Sequence, residues 1–441
     1  MEDTILSKYG GSSLANAGDI ERVARISEED PRRVYIVVSA PGDEKKENKV
    51  TSRLIHLASL RGDESAAKED IDYIVAKYEL LYPGKSEFVA DEIRKLYRDQ
   101  SLEPEWYAAQ LRALGEELQG KLLAETLGYQ FVNFRTFMKL SEDADNAKVL
   151  PETYKLLTSI ERDGQKIVFP GYGGITNNGK ITTLGRDGTN ISASVIAAAL
   201  GVRVYENFSD SPVLAADPNI VPDAVKIEEM TYDEIRDLSC SGFSIFHREA
   251  IQPLLGTGIP IHLRATHLFP QTGTMIVEDR ASDIKLPVIG IAYEKEYAVF
   301  NVRNLGLNDI LGAVHLLTGV FYRRKISLEH VNTETDGIAL VVKQNLVKKD
   351  VSTIKAELAS SIETELRNVE FIENLGCVAV SGKGLQRDPR ISAKIEIALD
   401  KAKIPHVTRC GGTEKRTFIY VVEERYGHKA VRALYDRFIR K

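Results

Sequence analysis

Short apolar, β-branched runs alternate with longer helical patterns through the first half of the chain, and this alternation constrains the fold more than any other feature. The runs are RVYIVVSA at 33–40, GYQFVNF at 128–134, QKIVFPGYGGI at 165–175 and RVYENFS at 203–209; between them lie EWYAAQLRALGEELQGKLLAETLG at 105–128 and NISASVIAAALG at 190–201. Strands separated by helix-length segments build an α/β fold, a mostly parallel sheet flanked by helices. Ligands on such sheets gather at the carboxyl ends of the strands. There the stretch ILSKYGGSS at 5–13 is informative, because an apolar run ends on Lys8 and is followed at once by Gly10, Gly11 and Ser12.

The familiar phosphate loops are absent. PGKS at 83–86 has the end of a P-loop, but the earlier glycine that motif needs falls on Glu79. GYGGIT and GKGLQR lack the third glycine of a dinucleotide fingerprint. A second glycine-rich stretch at 170–201, PGYGGITNNGKITTLGRDGTNISASVIAAALG, reads as a strand, a hairpin around Asn177-Asn178-Gly179, another strand and a turn into a helix capped by Thr189 or Asn190. A glycine-led helix start offers unpaired N–H groups and a positive dipole end to an anion, and Arg186 adds a forked cation beside it. Two glycine-lined strand ends, one with a lysine and one with an arginine, suit a polyphosphate held together with a second anion.

Composition narrows the partners. The net charge is −6 with no sustained Lys/Arg stripe, which argues against nucleic acid as the main partner. No apolar run reaches the length of a membrane span, and MEDTILSK is acidic where a secretory signal would be basic, so a cytoplasmic protein is expected. Cys240, Cys377 and Cys410 lie far apart and form no CxxC pair; buried free thiols are expected, and neither they nor the spacing of His262 and His267 indicates a metal site.

The last third is duplicated. IALVV at 338–342 recurs as FIYVV at 418–422, and the helical patterns ILGAVHLLTGVFYRR at 310–324 and RISAKIEIALDKAK at 390–403 keep the same offset. Each closes a run of strand, helix, strand, turn and strand, the βαββ pattern of a ferredoxin-like module.

In order along the chain, KYGGSS, VVSAPG with KVTSRLI, ALGEEL, TTLGRDGTN and AADPNIVPDAVKIEEMTYDEIRDLS are similar to the motifs of the aspartate kinases within the amino acid kinase family, and the duplicated segment resembles their paired ACT domains. The resemblance spans essentially the whole chain. It implies a kinase domain at 1–280 and ACT domains at 281–365 and 366–441. It further implies ATP-dependent phosphorylation of the L-aspartate side-chain carboxylate to 4-phospho-L-aspartate, the first step toward lysine, threonine and methionine. By the same carry-over, Lys8 stabilises the transferred group, and Lys8, Gly10, Gly11, Ser12, Ser209, Asp210 and Asp217 hold the nucleotide, with Mg²⁺ on its phosphates. Arg186 is both catalytic and a clamp for the α-carboxylate, Glu116 pairs with the ammonium, and Ser39, Thr51, Thr189 and Asn190 complete the substrate site. Lysine or threonine is the implied effector, bound near Asn308, Asp309 and Ile310 with the helix N-terminus near Asn308, and a homodimer through the ACT domains is the implied assembly.

Departures from the family pattern cluster in one loop. Arginine-glycine-glycine-serine-aspartate is usual there, whereas this chain has Arg186-Asp187-Gly188-Thr189-Asn190. An amide at 190 removes a carboxylate expected to help hold the ammonium, and Asp187 adds negative charge near a phosphate path. The 209–219 stretch, SDSPVLAADPN, is one residue short and carries Asn219 where arginine is frequent. These changes leave open a paralogue acting on another amino-acid carboxylate, or a weakly active regulatory homologue.

Overall fold

The computed structural model describes residues 3–99, 101–239, 242, 246, 248–280, 287–362, 368–411 and 416–440. They fall into two compact units. The first comprises the described residues of Met1–Val213, Glu228–Tyr232 and Phe246–Arg280; the second comprises those of Leu214–Ile227, Asp233–Ile245 and Ala281–Lys441.

The first unit is built on an eight-stranded sheet in the order Gln130–Phe131, Ile167–Pro170, Arg33–Val38, Ile5–Tyr9, Val204–Ser209, Ile261–Ala265, Thr274–Val277 and Glu229–Thr231. All pairings are parallel except that between Thr274–Val277 and Ile261–Ala265. Ile5–Tyr9 and Arg33–Val38 are buried along their whole length, as strands covered on both faces must be. One core gathers Tyr9, Ile36, Val38, Leu54, Leu111, Leu118 and Phe208. Lys8 stands in register with Asn207, and Ser7 with Glu206. Because side chains alternate along a strand, Lys8 and Asn207 share one face and Ser7 and Glu206 the other. On that other face Glu206 is buried between Arg33 and Arg264, at 2.7 and 2.9 Å, and accepts from Ser7 Oγ at 3.0 Å, so its strand is tied to three others by a charge cluster.

Two expected strands differ from the sequence reading. GYQFVNF contributes only Gln130–Phe131, because Asn133 accepts from the N–H of Arg135 and starts the short helix Phe134–Phe137. QKIVFPGYGGI splits: Ile167–Pro170 joins the large sheet, and Gly173–Ile175 pairs instead with Ile181–Thr183 in the hairpin expected around Gly179. The break falls at Tyr172, whose φ of 65° leaves the strand conformation. The helix expected over 105–128 runs from Pro104 to Leu127 and is ended by Gly128 in the left-handed region.

The second unit holds one six-stranded antiparallel sheet, in the order His330–Thr333, Gly337–Lys343, Gly290–Arg303, Asn368–Ser381, Thr417–Glu423 and Thr408–Gly411. Each βαββ repeat begins with a long strand, and the two long strands pair with each other at the centre. Each carries an irregularity at a residue of positive φ, Glu296 at 68° and Asn374 at 58°. The N–H exposed at each is closed by the other repeat: Glu296 N donates to Glu424 Oε1 and Asn374 N to Gln344 Oε1, both at 2.8 Å. Glu424 and Gln344 hold equivalent places, directly after the last strand of their repeats. The sheet curls until its edges meet, where Asn332 Nδ2 donates to Thr408 Oγ1 at 2.8 Å. Helices Ala313–Arg323, Val351–Ser360, Arg390–Lys401 and Glu424–Phe438 supply apolar side chains to its core. Cys377 is a buried free thiol and Cys410 a half-buried one, while Cys240 lies outside the described residues. Among the described residues no helix is long and apolar enough to cross a membrane.

Candidate active site

The carboxyl ends of the central parallel strands border a cavity of ≈ 630 Å³. Its lining brings together Lys8, Ser39, Thr51, Glu116, Arg186, Thr189 and Asn190, every residue assigned from sequence to catalysis or substrate. They come from five separate stretches of chain, joined only by the topology.

Lys8 lies on the first strand and is buried, with its Nζ against the Gly10 turn. Burial draws its ammonium down to about 8, while the nearby carboxylates of Asp187 and Asp210 favour the charged form. Gly10, Gly11 and Ser12 follow as a turn beside the cavity, outside its lining, with Gly10 N–H donating to Phe208 O at 3.2 Å. Gly11 is needed for space rather than for an unusual dihedral, since a Cβ there would stand 2.8 Å from Ala40 O. Gly42, from VVSAPG, packs against it, and its N–H donates to Gly11 O at 2.8 Å.

Glu116 projects from helix Pro104–Leu127 and is 4% exposed. Gly115 lets that helix close on Ala40, whose backbone N–H favours the ionised form of the Glu116 carboxylate. Burial pushes the carboxyl up to about 8, and Oε2 has no hydrogen-bond partner among the described residues. A buried acceptor left unpaired is costly, and a cationic donor entering the cavity would supply what it lacks. Thr51 occupies the second position of helix Val50–Ser59, and Ser39 follows Arg33–Val38 with its N–H on Tyr9 O.

The TTLGRDGTN loop holds a correction. The cap expected at Thr189 or Asn190 lies earlier: the helix is Gly188–Leu200, and Asp187 precedes it in the left-handed region at φ 60°. Asp tolerates that conformation better than most residues, which explains how it replaces a glycine. Arg186 and Asp187 both line the cavity and are both exposed, at its mouth. Asn190 Oδ1 accepts from Asn207 Nδ2 at 3.0 Å, and Asn207 Nδ2 also reaches the Tyr205 hydroxyl at 2.9 Å.

Asp145, Asn146, Tyr172 and Glu249 also line the cavity and were not found from sequence. Asp145 pairs with Arg112 at 3.1 Å, and Glu249 with Lys148 at 3.4 Å. Tyr172 alone carried a signal, a bulky residue among glycines in PGYGG, and its ring packs over Gly188. Ser209 ends its strand, its carbonyl accepting from Thr266 Oγ1 at 3.1 Å, and Asp210 follows, exposed. Asp217 belongs to the second unit, where it accepts from the N–H of Asn219 at 2.8 Å.

Asn308, Asp309 and Ile310 also belong to the second unit, in the turn around Leu307–Asp309. Their N–H groups are taken by Thr335 O, Gly306 O and Leu307 O. The helix expected to start near Asn308 begins only at Ala313, directly after Gly312, whose φ of 76° turns the chain into it. The helix-end anion position therefore falls at the first turn of Ala313–Arg323.

Comparison with known proteins gives a consistent result. A family model described as the amino acid kinase family matches residues 3–265. Aspartokinase 3 of Bacillus subtilis is 32% identical, with 98% of each chain covered, and the aspartokinase of Geobacillus stearothermophilus is 25% identical over 98% of this chain and 97% of its own. The crystal structure of Clostridium acetobutylicum aspartate kinase, described as an allosteric enzyme, superposes with a TM-score of 0.85 at 26% identity, covering 99% of this chain and 100% of that one.

Proposed function

The chain belongs to the aspartate kinases of the amino acid kinase family, and from that premise we propose that it transfers the γ-phosphoryl group of ATP to the side-chain carboxylate of L-aspartate as the first step toward lysine, threonine and methionine. The observation that carries this reading is the pairing, in one cavity, of a buried lysine with a buried carboxylate whose oxygen lacks a partner among the described residues. Glu116 receives the substrate ammonium, Arg186 the α-carboxylate, and Ser39, Thr51 and Thr189 donate neutral hydrogen bonds. The side-chain carboxylate is then directed at Lys8, whose ammonium offsets charge on the oxygens of the group in transit. Gly10, Gly11 and Ser12 let the backbone approach the phosphates, with Ser209 and Asp210 on the nucleotide side. Mg²⁺ carried with the nucleotide would offset charge on its phosphate oxygens.

The duplicated sheet is the regulatory part of this reading, and the enzyme works in the cytoplasm as a homodimer. Lysine or threonine is the effector, bound at the 308–310 turn and the helix start after it. Such an effector raises the melting temperature of the full chain by binding the native state selectively.

Incubation with ATP, Mg²⁺ and a panel of amino acids, with hydroxylamine to trap acyl phosphates, tests the assignment. Aspartyl hydroxamate is expected. Preference for another acid would redirect the enzyme, and trapping with none of the panel would leave a regulatory homologue.

A further inference from the structure

Asn190 is read from sequence as a weakened partner for the substrate ammonium, but its surroundings favour the opposite polarity. Glu116 follows Gly115, which packs against Ala40 just beyond the end of strand Arg33–Val38. Asn190 is anchored on Asn207, in strand Val204–Ser209. Strand Ile5–Tyr9, carrying Lys8, lies between those two. Neighbouring strands are about 4.8 Å apart, so an ammonium seated on Glu116 is on the far side of Lys8 from Asn190. Moreover, Asn207 Nδ2 already donates to Asn190 Oδ1. With Oδ1 turned toward Asn207, the group that Asn190 turns the other way, toward the cavity that it lines, is its NH₂, a donor only.

We infer that Asn190 is a catalytic donor to the phosphoryl group beside Lys8, with Asn207 as the positioning residue that holds the amide in that orientation. A neutral donor suits the place, since Asp187 and Asp210 already act on Lys8 and a third carboxylate would repel the phosphate oxygens. The inference rests on the kinase reading and refines it.

The test compares wild type with Asn190→Ala and Asn190→Asp, all in the full chain. A donor at 190 predicts kcat in the order Asn, Ala, Asp, with losses of about tenfold and about 100-fold, and a KM for aspartate within about threefold throughout. An ammonium partner predicts that Asp lowers the KM for aspartate, and that result overturns the inference. The ranking of Ala above Asp does not depend on fold, because Ala removes the same side chain without adding charge. If wild type traps no aspartyl hydroxamate, the kinase reading fails separately, and nucleotide binding decides the role of Asn190. A loss of about tenfold in ATP affinity in Asn190→Asp, with ADP affinity unchanged, supports a contact with the γ-phosphate; equal changes for both nucleotides overturn it.

Discussion

At the strand ends around Ile5–Tyr9, Glu116 keeps an oxygen without a partner among the described residues and Lys8 is held where burial works against its charge, whereas in the sheet centred on Gly290–Arg303 and Asn368–Ser381 each irregular N–H is met by a side chain of the other repeat. Both regions bring polar groups out of water. The difference lies in who satisfies them: in the second unit the chain does so itself, while in the first the protein leaves a place for something not covalently part of it. Incomplete satisfaction marks a site because it costs stability until a ligand is bound.

The sharpest way to break this contrast is Lys8→Ala. Phosphoryl transfer is expected to fall about 10³-fold while the apo protein melts no lower than wild type. The sign follows from its lowered pKa: the unfolded chain binds a proton more tightly than the native state between about pH 8 and the ordinary 10.5, so the burden of Lys8 is fully present below pH 8 and fades above it. A large drop in melting temperature would make Lys8 structural.

Glu116→Gln is expected to lower kcat/KM for aspartate by about 100-fold, mostly through KM, the loss of a charge-assisted hydrogen bond. The same change should raise the apo melting temperature at pH 8 and above and leave it unchanged below pH 4.5. Burial raises this carboxyl from 4.5 to about 8, so its contribution to stability is lost as the pH rises through that window. Thermal melts at about pH 4 and about pH 9 would check it.

The two groups together predict a pH profile. In the proposed mechanism aspartate binding needs Glu116 ionised and catalysis needs Lys8 charged; burial brings both to about 8, so kcat/KM should peak near pH 8 and fall about tenfold per unit well to either side. Glu116→Gln should flatten the acid limb alone.

The smallest effect is expected in the second unit. Gln344→Ala and Glu424→Ala each remove one acceptor at a half-buried position, costing about 1 kcal/mol, or about 2–4 °C in the melting of that unit. Their equivalent places predict small shifts in the same direction; a large loss from either would show that the bond is not the minor, local contact described here.

Much of this was legible in the sequence because it depends on periodicity and on contiguous motifs. The alternation of strands and helices announced the parallel sheet, and Lys8, Glu116 and Arg186 lie in motifs that read as units. Asp145, Asn146 and Glu249 sit in segments with no period to detect, and only the fold brings them to the cavity. The helix cap was misplaced because Thr189 and Asn190 are good capping residues by type, while the actual start depends on Asp187 adopting a left-handed conformation. The orientation of the Asn190 amide was beyond reach for a similar reason, as it depends on Asn207, a residue that meets it only where a helix packs on a strand.

The pairing of the two long strands has a consequence for fragments of this chain. Gly290–Arg303 and Asn368–Ser381 are interior strands only because each covers the other, and the outer strands meet at Asn332 and Thr408. A single repeat made alone would present a 14-residue strand with an open row of N–H and C=O groups, flanked by Val299 or Val378 and their apolar neighbours. Such a strand is a template for its own kind. The isolated halves are therefore aggregation-prone where the intact pair is not, and the gene segment encoding the duplicate is divisible only at the risk of insoluble product.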